Sequence, residues 1–351
     1  MPVDYREVAF ESAIEDHLLK KGGYTKGDPD TFDQQLCLDP TVLLSFIKET
    51  QPEEWAYLVN IRKGNAEETL IDSLCRALNS EYEGCLTVLR HGFKCYGKLF
   101  RVAYFKPASG LNPETQKLYA ANKLTVTRQL QYSNKHNKKL DLVLSLNGIP
   151  FATAELKNPM TGQTWLDATH QYMNDRDPMD LIFQYKKRTL VHFAVDTDEI
   201  HMTTKLSGKS TYFLPFNKGD GTGAGNPENP KGYKTAYLWE QVLQRDSIHD
   251  IISRFIHLEL KEVKLGNKTV KKETMIFPRY HQLDSVRKLV EDARRRGTGN
   301  NYLIQHSTGS GKSLSIAWLA HRLSSLHDNN DKKIFNSVIV VTDRIVLDQQ
   351  L

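Results

Sequence analysis

The sequence predicts an α/β protein made of two successive parts. Over residues 1–260, an amphipathic helix followed by pairs of short apolar segments predicts a mixed sheet flanked by helices. Over residues 274–351, a helix at 280–297, a strand, a glycine-rich loop, a second helix and a second strand follow one another, which is typical of a parallel α/β lobe. The lysine-rich segment 261–273 is the predicted linker between them. A chain of 351 residues agrees with two domains.

Composition places the chain among soluble intracellular proteins. Hydrophobic residues make up 39% and charged residues 25%, and no apolar run approaches the roughly 18 residues of a membrane span. The N-terminus is acidic and amphipathic, which excludes a secretion signal. The cysteines form no CxxC pair, so we expect reduced thiols and a cytoplasmic location. The net charge of +5 is compatible with nucleic acid but is shared by many other proteins.

The elements of the first part follow from local signals. Phe10, Ile14 and Leu18 recur at helical spacing, and Gly22 ends the stripe. The further predicted elements are a strand at 124–132, two strands within 141–159, a helix at 164–175, two strands within 188–206, a loop at 216–233 and a helix at 235–260.

The stretch "DLVLSLNGIPFATAELKNP" places charged residues in an apolar hairpin that turns at Asn147-Gly148. Strand alternation puts Glu155 and Lys157 on one face, and the turn brings Asp141 beside Glu155. Two neighbouring carboxylates repel each other, and a divalent cation relieves the repulsion. Mg²⁺ would polarise a phosphodiester and lower the pKa of a bound water, while Lys157 stabilises the developing charge or orients that water. This pattern indicates phosphodiester cleavage, with the Leu156 carbonyl as a possible further ligand.

The alternative for this triplet is a strand-edge salt bridge on a solvated face, because such spacings arise by chance. The apolar hairpin favours the catalytic interpretation. Glu11 on the first helix either completes the metal site, with Glu15 one turn on, or lies on a solvated flank. Gln171 and Tyr172 on the following helix contact DNA, brace the site or lie on the helix surface.

The second part contains a phosphate-loop motif, "STGSGKSLSIAWLA" at 307–320, which the predicted strand "NYLIQ" precedes. Glycines let backbone amides cradle phosphates, the lysine reaches the β- and γ-phosphates, and the serine hydroxyl contacts Mg²⁺. His306 replaces the first glycine of the usual motif, and a chance glycine-rich turn is the alternative. The predicted nucleotide-binding residues of the loop are Thr308, Gly309, Ser310, Gly311, Lys312 and Ser313.

The strand after this helix is predicted within 337–351, and no later strand follows to supply an acidic Mg²⁺ residue. We therefore expect only the opening of a motor domain, with weak ATP binding and no hydrolysis by these residues. The "GDGTGAG" segment at 219–225 lacks the spacing of a dinucleotide site and predicts a surface loop.

The chain resembles the restriction (R) subunit of type I restriction-modification enzymes. The hairpin is similar to that subunit's PD-(D/E)xK nuclease motif, and "HSTGSGKSLS" with "VVTDRIVLDQQ" is similar to the first motifs of its superfamily 2 motor. Similar segments run from about Glu7 to Leu351, including "FESAIEDHLLKKGGY" and "FPRYHQLDSVRKLVED". The resemblance implies a PD-(D/E)xK nuclease fold followed by an incomplete RecA-like lobe.

The resemblance also implies roles for individual residues. Asp141 and Glu155 match the metal-binding acids, Lys157 the catalytic lysine and Glu11 the acid of the first helix. Further matches are Gln282 at the adenine-reading position with Arg279 nearby, Lys312 and Ser313 at the phosphate and Mg²⁺ positions, and Arg344 and Gln349 in the segment that touches DNA. The family's QxxxY signature departs here: if Tyr172 is its tyrosine, Ala168 holds the glutamine position.

The implied reaction is ATP-driven translocation of double-stranded DNA followed by cleavage. The implied partners are a specificity subunit and a modification subunit that uses S-adenosylmethionine, and no motif of this chain reads sequence. Basic segments at 135–141, 184–188 and 261–272 either contact the DNA backbone or form solvated faces. The other functions considered are a non-catalytic DNA- or partner-binding remnant of a truncated gene, and a repair nuclease-helicase.

Overall fold

The computed structural model describes residues 7–107, 112–221, 223–265, 268–328 and 330–341, which pack as two compact units. The first unit holds the described residues up to Phe105 and from Lys117 to Phe277. The second unit holds those between Lys106 and Gln116 and those from Pro278 onward. The first unit thus extends past the predicted linker at 261–273, because that segment is paired into a β-hairpin rather than irregular.

A seven-stranded mixed sheet forms the centre of the first unit. Its strands, in spatial order, are β1 (Tyr24–Lys26), β4 (Leu124–Gln131), β5 (Lys139–Leu146), β6 (Ile149–Leu156), β7 (Val191–Val195), β8 (Ile200–Thr203) and β9 (Leu214–Pro215). The pairs β1–β4 and β6–β7 are parallel, and the other neighbours are antiparallel. Two separate hairpins are β2 (Phe93–Cys95) with β3 (Lys98–Phe100), and β10 (His257–Leu265) with β11 (Lys268–Ile276).

Helices surround the sheet, as the sequence predicts. Those of the chain up to β10 are α1 (Glu7–Lys20), α2 (Pro40–Thr50), α3 (Pro52–Ile61), α4 (Ala66–Asn79), α5 (Gly84–His91), α6 (Pro113–Ala120), α7 (Trp165–Asn174) and α8 (Arg245–Asp250). In the described part of the chain, no helix combines the length and apolar character that crossing a membrane requires.

The helix predicted at 235–260 is instead broken into three short pieces. Two π-helical turns, Leu238–Val242 and Ile251–Phe255, flank α8. Gln244 interrupts the helix because its backbone is extended, with ψ 147°. Ile256 is extended as well, and the chain then enters β10. The apolar residues whose spacing predicted one helix are therefore buried from three short helical pieces.

The central strands are buried on both faces, because helices and loops cover each side of the sheet. One hydrophobic cluster packs beside the strand ends that carry the candidate site. Its buried members are Cys37, Leu130, Tyr132, Leu140, Val143, Tyr172, Ile182, Phe183 and Leu206. Charged side chains of β5 and β6 therefore lie in a largely apolar setting, where they need partners.

The β5–β6 turn is formed by the predicted Asn147-Gly148 pair. Both residues have positive φ, 50° and 82°, as a two-residue type I′ hairpin turn requires. The buried Asn147 side chain accepts a hydrogen bond from the Lys123 amide at 2.6 Å and donates one to the Val102 carbonyl at 2.8 Å. The turn is thus tied to neighbouring segments, which fixes the register of the hairpin.

From Pro278 onward, the described residues form the helices α9 (Tyr280–Arg296) and α10 (Lys312–Ser324), which pack against each other. The strand predicted at 301–305 is not formed, nor is the described part, 337–341, of the strand predicted within 337–351; Leu303 and Val341 are 90% and 88% exposed. A strand needs a hydrogen-bonded neighbour, and neither segment has one among the described residues. The parallel sheet expected here is therefore absent from residues 278–328 and 330–341. Arg344 and Gln349 lie outside the described residues.

Candidate active site

The hairpin brings Asp141 and Glu155 together. Leu142 lies opposite Ala154 in the β5–β6 ladder, so the next residues outward, Asp141 and Glu155, share one face of the sheet. Asp141 lies close enough to Glu155 to affect its ionisation. The second oxygen of Asp141, Oδ2, accepts the Leu156 amide at 2.8 Å. The two acids thus form a cross-strand pair held by the backbone of β6.

Burial dominates the electrostatics of Glu155. The pKa of Glu155 is raised to about 8, because desolvation and the neighbouring Asp141 together outweigh the opposing effect of the Arg176 guanidinium. Arg176 Nε donates to Glu155 Oε1 at 2.7 Å, and Gln171 Nε2 donates to Oε2 at 2.8 Å. At neutral pH the acid pair therefore keeps a proton, which is the arrangement that a divalent cation can replace.

Lys157 lies at the end of the same strand. Its amide donates to the Val195 carbonyl at 2.8 Å, which continues the β6–β7 ladder one residue beyond β6. Because side chains alternate, Lys157 shares the face of Glu155, and only 8% of the residue is exposed. The three residues singled out from the sequence thus lie on one face of the sheet.

Glu11 is also buried next to this pair, but its carboxylate is bound by protein groups. Arg128 Nε and a terminal guanidinium nitrogen contact Glu11 Oε2 at 3.0 and 2.9 Å, and Gln129 Nε2 contacts Oε1 at 2.8 Å. The same Gln129 nitrogen donates to Asp141 Oδ1 at 3.1 Å. Burial raises the pKa of Glu11, and the Arg128 hydrogen bond counteracts that rise.

No three acidic, histidine or cysteine side chains in the described ranges approach closely enough to hold one metal ion. In this structure Arg128 and Gln129 contact the Glu11 oxygens, and the role of Glu11 as a third metal ligand stays a prediction. Glu15, one turn on, is likewise paired with Arg128 at 3.2 Å. Asp141 and Glu155 remain as adjacent carboxylates, and their residue types and mutual repulsion fit Mg²⁺.

Gln129 has an unusual backbone conformation. It lies in β4 between Arg128, which pairs with Leu142, and Leu130, which pairs with Leu140, so it faces Asp141 across the ladder. Its φ of 49° is in the left-handed region, which is rare for a residue inside a strand. The distortion interrupts strand alternation and lets two successive side chains reach the acids of α1.

Sequence reasoning missed Arg128, Gln129 and Arg176. Each donates to a buried carboxylate of the site. Their only signal is indirect: buried acids need hydrogen-bond donors, but the sequence does not show which donors fold next to them.

α7 supports the site from one side of the sheet. Its first turn is stabilised by a capping box between Thr164 and Asp167. Gln171 braces Glu155, one of the roles considered from the sequence. Tyr172 is fully buried and its hydroxyl lies 2.8 Å from Thr153 Oγ1, so the expectation that it contacts DNA is wrong in this structure. Ala168, at the other position of the signature, is also buried.

The loop at 306–311 contains two glycines in the left-handed backbone region. Gly309 and Gly311 have positive φ, 75° and 80°, and α10 begins directly after them at Lys312. Lys312 Nζ donates to the carbonyls of Ser307 at 2.9 Å and His306 at 3.2 Å. The lysine ammonium thus lies over the loop at the N-terminus of a helix, where anions are favoured.

Gln282 is buried beneath this loop. Its Nε2 donates to the Gly311 carbonyl at 2.9 Å, and its Oε1 accepts the Arg279 amide at 2.9 Å. Arg279 also reaches the Gly309 carbonyl at 3.2 Å. In this structure both ends of the Gln282 amide therefore brace protein groups of α9 and the loop.

Comparison with known proteins agrees with this arrangement of elements. Residues 5–211 match the family described as the type I restriction enzyme R protein N terminus, and residues 281–351 match the SWI2/SNF2 ATPase family. The type I restriction enzyme HindI endonuclease subunit of Haemophilus influenzae is 26% identical over 243 residues, 66% of this chain and 21% of that protein.

Two further relatives show the same coverage. The putative type I restriction enzyme MjaVIIIP endonuclease subunit of Methanocaldococcus jannaschii is 24% identical over 236 residues, 65% of this chain and 21% of that protein. An endonuclease subunit of a type I restriction enzyme from Staphylococcus saprophyticus is 27% identical over 233 residues, 66% of this chain and 22% of that protein. The matches thus span about a fifth of each relative's length. The match at residues 5–211 covers more than half of the chain. The chain therefore belongs to the family of the type I restriction enzyme R protein N terminus.

Proposed function

We propose that the first unit is a Mg²⁺-dependent DNA endonuclease centre in which Asp141 and Glu155 hold the metal and Lys157 is the catalytic lysine. The observation that carries the proposal is the buried pair of neighbouring carboxyl groups at the hairpin end. Such a pair is costly unless a proton or a cation neutralises it. The names of the relatives, which are endonuclease subunits, support the same interpretation.

The roles follow from the contacts of each group. When bound, Mg²⁺ polarises the phosphodiester and acidifies water. The Leu156 amide holds Asp141, while Gln171 and Arg176 fix both oxygens of Glu155. The Lys157 ammonium, on the same face, stabilises negative charge on the phosphorus centre or orients the attacking water.

The test is nicking of supercoiled plasmid by the purified chain in Mg²⁺. We expect the Lys157→Ala variant to cleave at least about 100-fold more slowly than the wild type, because loss of one charge-stabilising donor has that effect. Lys209→Ala, which removes an exposed lysine outside the site, is the control and should cleave normally. Equal cleavage by wild type and Lys157→Ala would remove the catalytic role of Lys157.

We also propose that the loop at 306–313 binds the phosphates of ATP. The supporting observation is the Lys312 ammonium, which rests on loop carbonyls that phosphate oxygens can replace as its partners. Calorimetric titration with Mg²⁺-ATP should show binding that Lys312→Ala loses. If Gln282 reads adenine, its substitution should also abolish any preference for ATP over GTP; an unchanged preference would leave it as a loop brace.

In a complete restriction complex, this centre would act with ATP-driven translocation of double-stranded DNA. We infer that sequence recognition belongs to a specificity subunit and that S-adenosylmethionine is used by a modification subunit. The membership of the chain in the R-protein family supports this assignment. Co-purification with those two subunits tests it, and an R chain that fails to assemble with them would contradict it.

A further inference from the structure

Strands β10 and β11 form a two-stranded ribbon that is separate from the central sheet. We call these two strands the lysine ribbon. Their register runs from His257 opposite Ile276 to Leu265 opposite Lys268, nine residues on each side. At about 3.4 Å per residue the ribbon is roughly 30 Å long.

The end of the ribbon nearest the sheet is anchored in the first unit. Met275 is buried, and its carbonyl accepts a hydrogen bond from Thr204 Oγ1 at 2.8 Å. Glu273 binds Lys186 at 2.8 Å, and the Phe277 ring packs on the Phe193 ring at 5.8 Å between centroids. This end is therefore held rigidly, so that the more distal residues have a fixed base.

The distal part carries a concentrated positive charge. Segment 261–272 contains five lysines and one glutamate, a net charge of +4. Residues 261, 262, 271 and 272 are exposed. Among the side chains that the structure describes here, the ammonium groups of Lys261, Lys271 and Lys272 thus face solvent and are available to a partner.

The arrangement of these charges is unfavourable for the isolated protein. Lys261 lies directly opposite Lys272, and like charges in this position destabilise an antiparallel pair. Lys261 has a 2.9 Å contact with Glu259, but exposed ion pairs of this kind are weak. A polyanion bound along this face would offset the repulsion.

One alternative is that the lysines only prevent edge-to-edge aggregation of the ribbon. That role needs scattered charges and no ligand, whereas Lys261, Lys271 and Lys272 lie within two neighbouring cross-strand pairs, whose fourth member is Glu262. A two-stranded ribbon also has the dimensions of the DNA major groove, and lysines supply phosphate contacts. We propose that the lysine ribbon binds the backbone of double-stranded DNA, a surface that holds the substrate of the proposed nuclease; the identity of this ligand rests on the proposed function.

The test measures, by fluorescence anisotropy, the binding of a labelled DNA duplex to the full chain in buffer that contains no divalent metal. We expect the triple variant Lys261→Gln, Lys271→Gln, Lys272→Gln to bind roughly tenfold more weakly or worse. The slope of log affinity against log salt should fall by up to about three, since each lost phosphate contact removes about 0.9. The triple arginine variant at the same positions keeps the charge and should bind as the wild type does.

A charge-matched control changes the exposed Lys63, Lys209 and Lys231 to glutamine. This control should keep most of the affinity, and no variant should unfold below the thermal midpoint of the wild type. Wild-type-like binding by the ribbon variant, an equal loss in the control, or no duplex binding by the wild type would each overturn the proposal. Because binding is measured without metal, a chain that binds through the ribbon but does not cleave contradicts the nuclease proposal alone.

Discussion

At the scale of single residues, the candidate site is a row across three neighbouring strands. Gln129 of β4, Asp141 of β5 and Glu155 of β6 lie side by side, and the middle residue accepts a hydrogen bond from Gln129 and lies opposite Glu155. Buried carboxylates are tolerated here because each has several donors or a shared proton. The ionisation of Glu155 is therefore coupled to folding, and this coupling can be measured as a pH dependence of stability.

The first prediction concerns the stability of the metal-free protein as pH changes. The pKa of Glu155 is raised from its ordinary value of 4.5 to about 8, so between these values the folded state keeps a proton that the unfolded state has released. Wild-type stability should thus fall as pH rises from 5 to 8, by at most about 1.4 kcal/mol per pH unit from this group.

Glu155→Gln does not titrate, so its unfolding free energy should fall less over the same range. Urea unfolding in EDTA at several pH values measures both slopes. The comparison of slopes is needed because the glutamine variant also places an amide NH₂ group where Gln171 and Arg176 donate to the two Glu155 oxygens, a cost present at every pH. Parallel slopes for the two proteins would show that Glu155 is ionised throughout.

The second prediction concerns the backbone of Gln129. Both Gln129→Gly and Gln129→Ala lose the amide that links Glu11 and Asp141, but only glycine relieves the positive φ. The glycine variant should therefore be more stable than the alanine variant by roughly 1 kcal/mol. At Gln131 of the same strand, which lacks a positive φ, alanine should be the more stable substitution. If the alanine variant were more stable than the glycine variant at both positions, the backbone of Gln129 would not be strained.

At the scale of elements, the β5–β6 turn is the feature on which the site depends. A Cβ added at Gly148 would overlap the Asp39 carbonyl oxygen, and the φ of 82° is unfavourable for alanine. Gly148→Ala should cost about 1 kcal/mol for the backbone conformation and about 1–3 kcal/mol more for the displaced contact. Gly97, in the β2–β3 turn, has a φ of 81° but nothing near its added Cβ, so Gly97→Ala should show the backbone cost alone. Urea unfolding measures the unfolding free energy of both variants. Equal losses of unfolding free energy would argue against an overlap with the Asp39 carbonyl.

The sequence predicts elements whose signals are local. The Asn147-Gly148 pair, strand alternation and the periodic apolar residues of α1 and α7 each depend on a few neighbours, and the structure contains all of these elements. The helix predicted at 235–260 fails because buried residues at helical spacing do not reveal the extended Gln244. The residues that pair with Glu11 and Glu155 could not be predicted for another reason. Arg128 and Arg176 reach these acids only through tertiary packing.

At the scale of the whole molecule, charge is distributed unevenly. The chain carries a net charge of +5, and segment 261–272 alone carries +4. The remaining residues are therefore almost balanced, with many acids paired to bases, such as Glu155 with Arg176 and Asp180 with Lys135. A weakly basic composition thus conceals one strongly basic element, which is where salt-dependent DNA binding is expected to originate.

The last prediction compares the two units by hydrogen exchange. The β6 strand is paired on both sides and buried, so its amides should exchange only through large-scale unfolding. Residues 301–305 are exposed and belong to no strand, so their amides should exchange several orders of magnitude faster under the same conditions. Mass spectrometry of peptic peptides from the intact chain measures both rates, with α10 as an internal reference for hydrogen-bonded backbone in the second unit. Protection of 301–305 equal to that of β6 would show that the predicted strand is paired in solution, and the exposed backbone described for this segment would then be wrong.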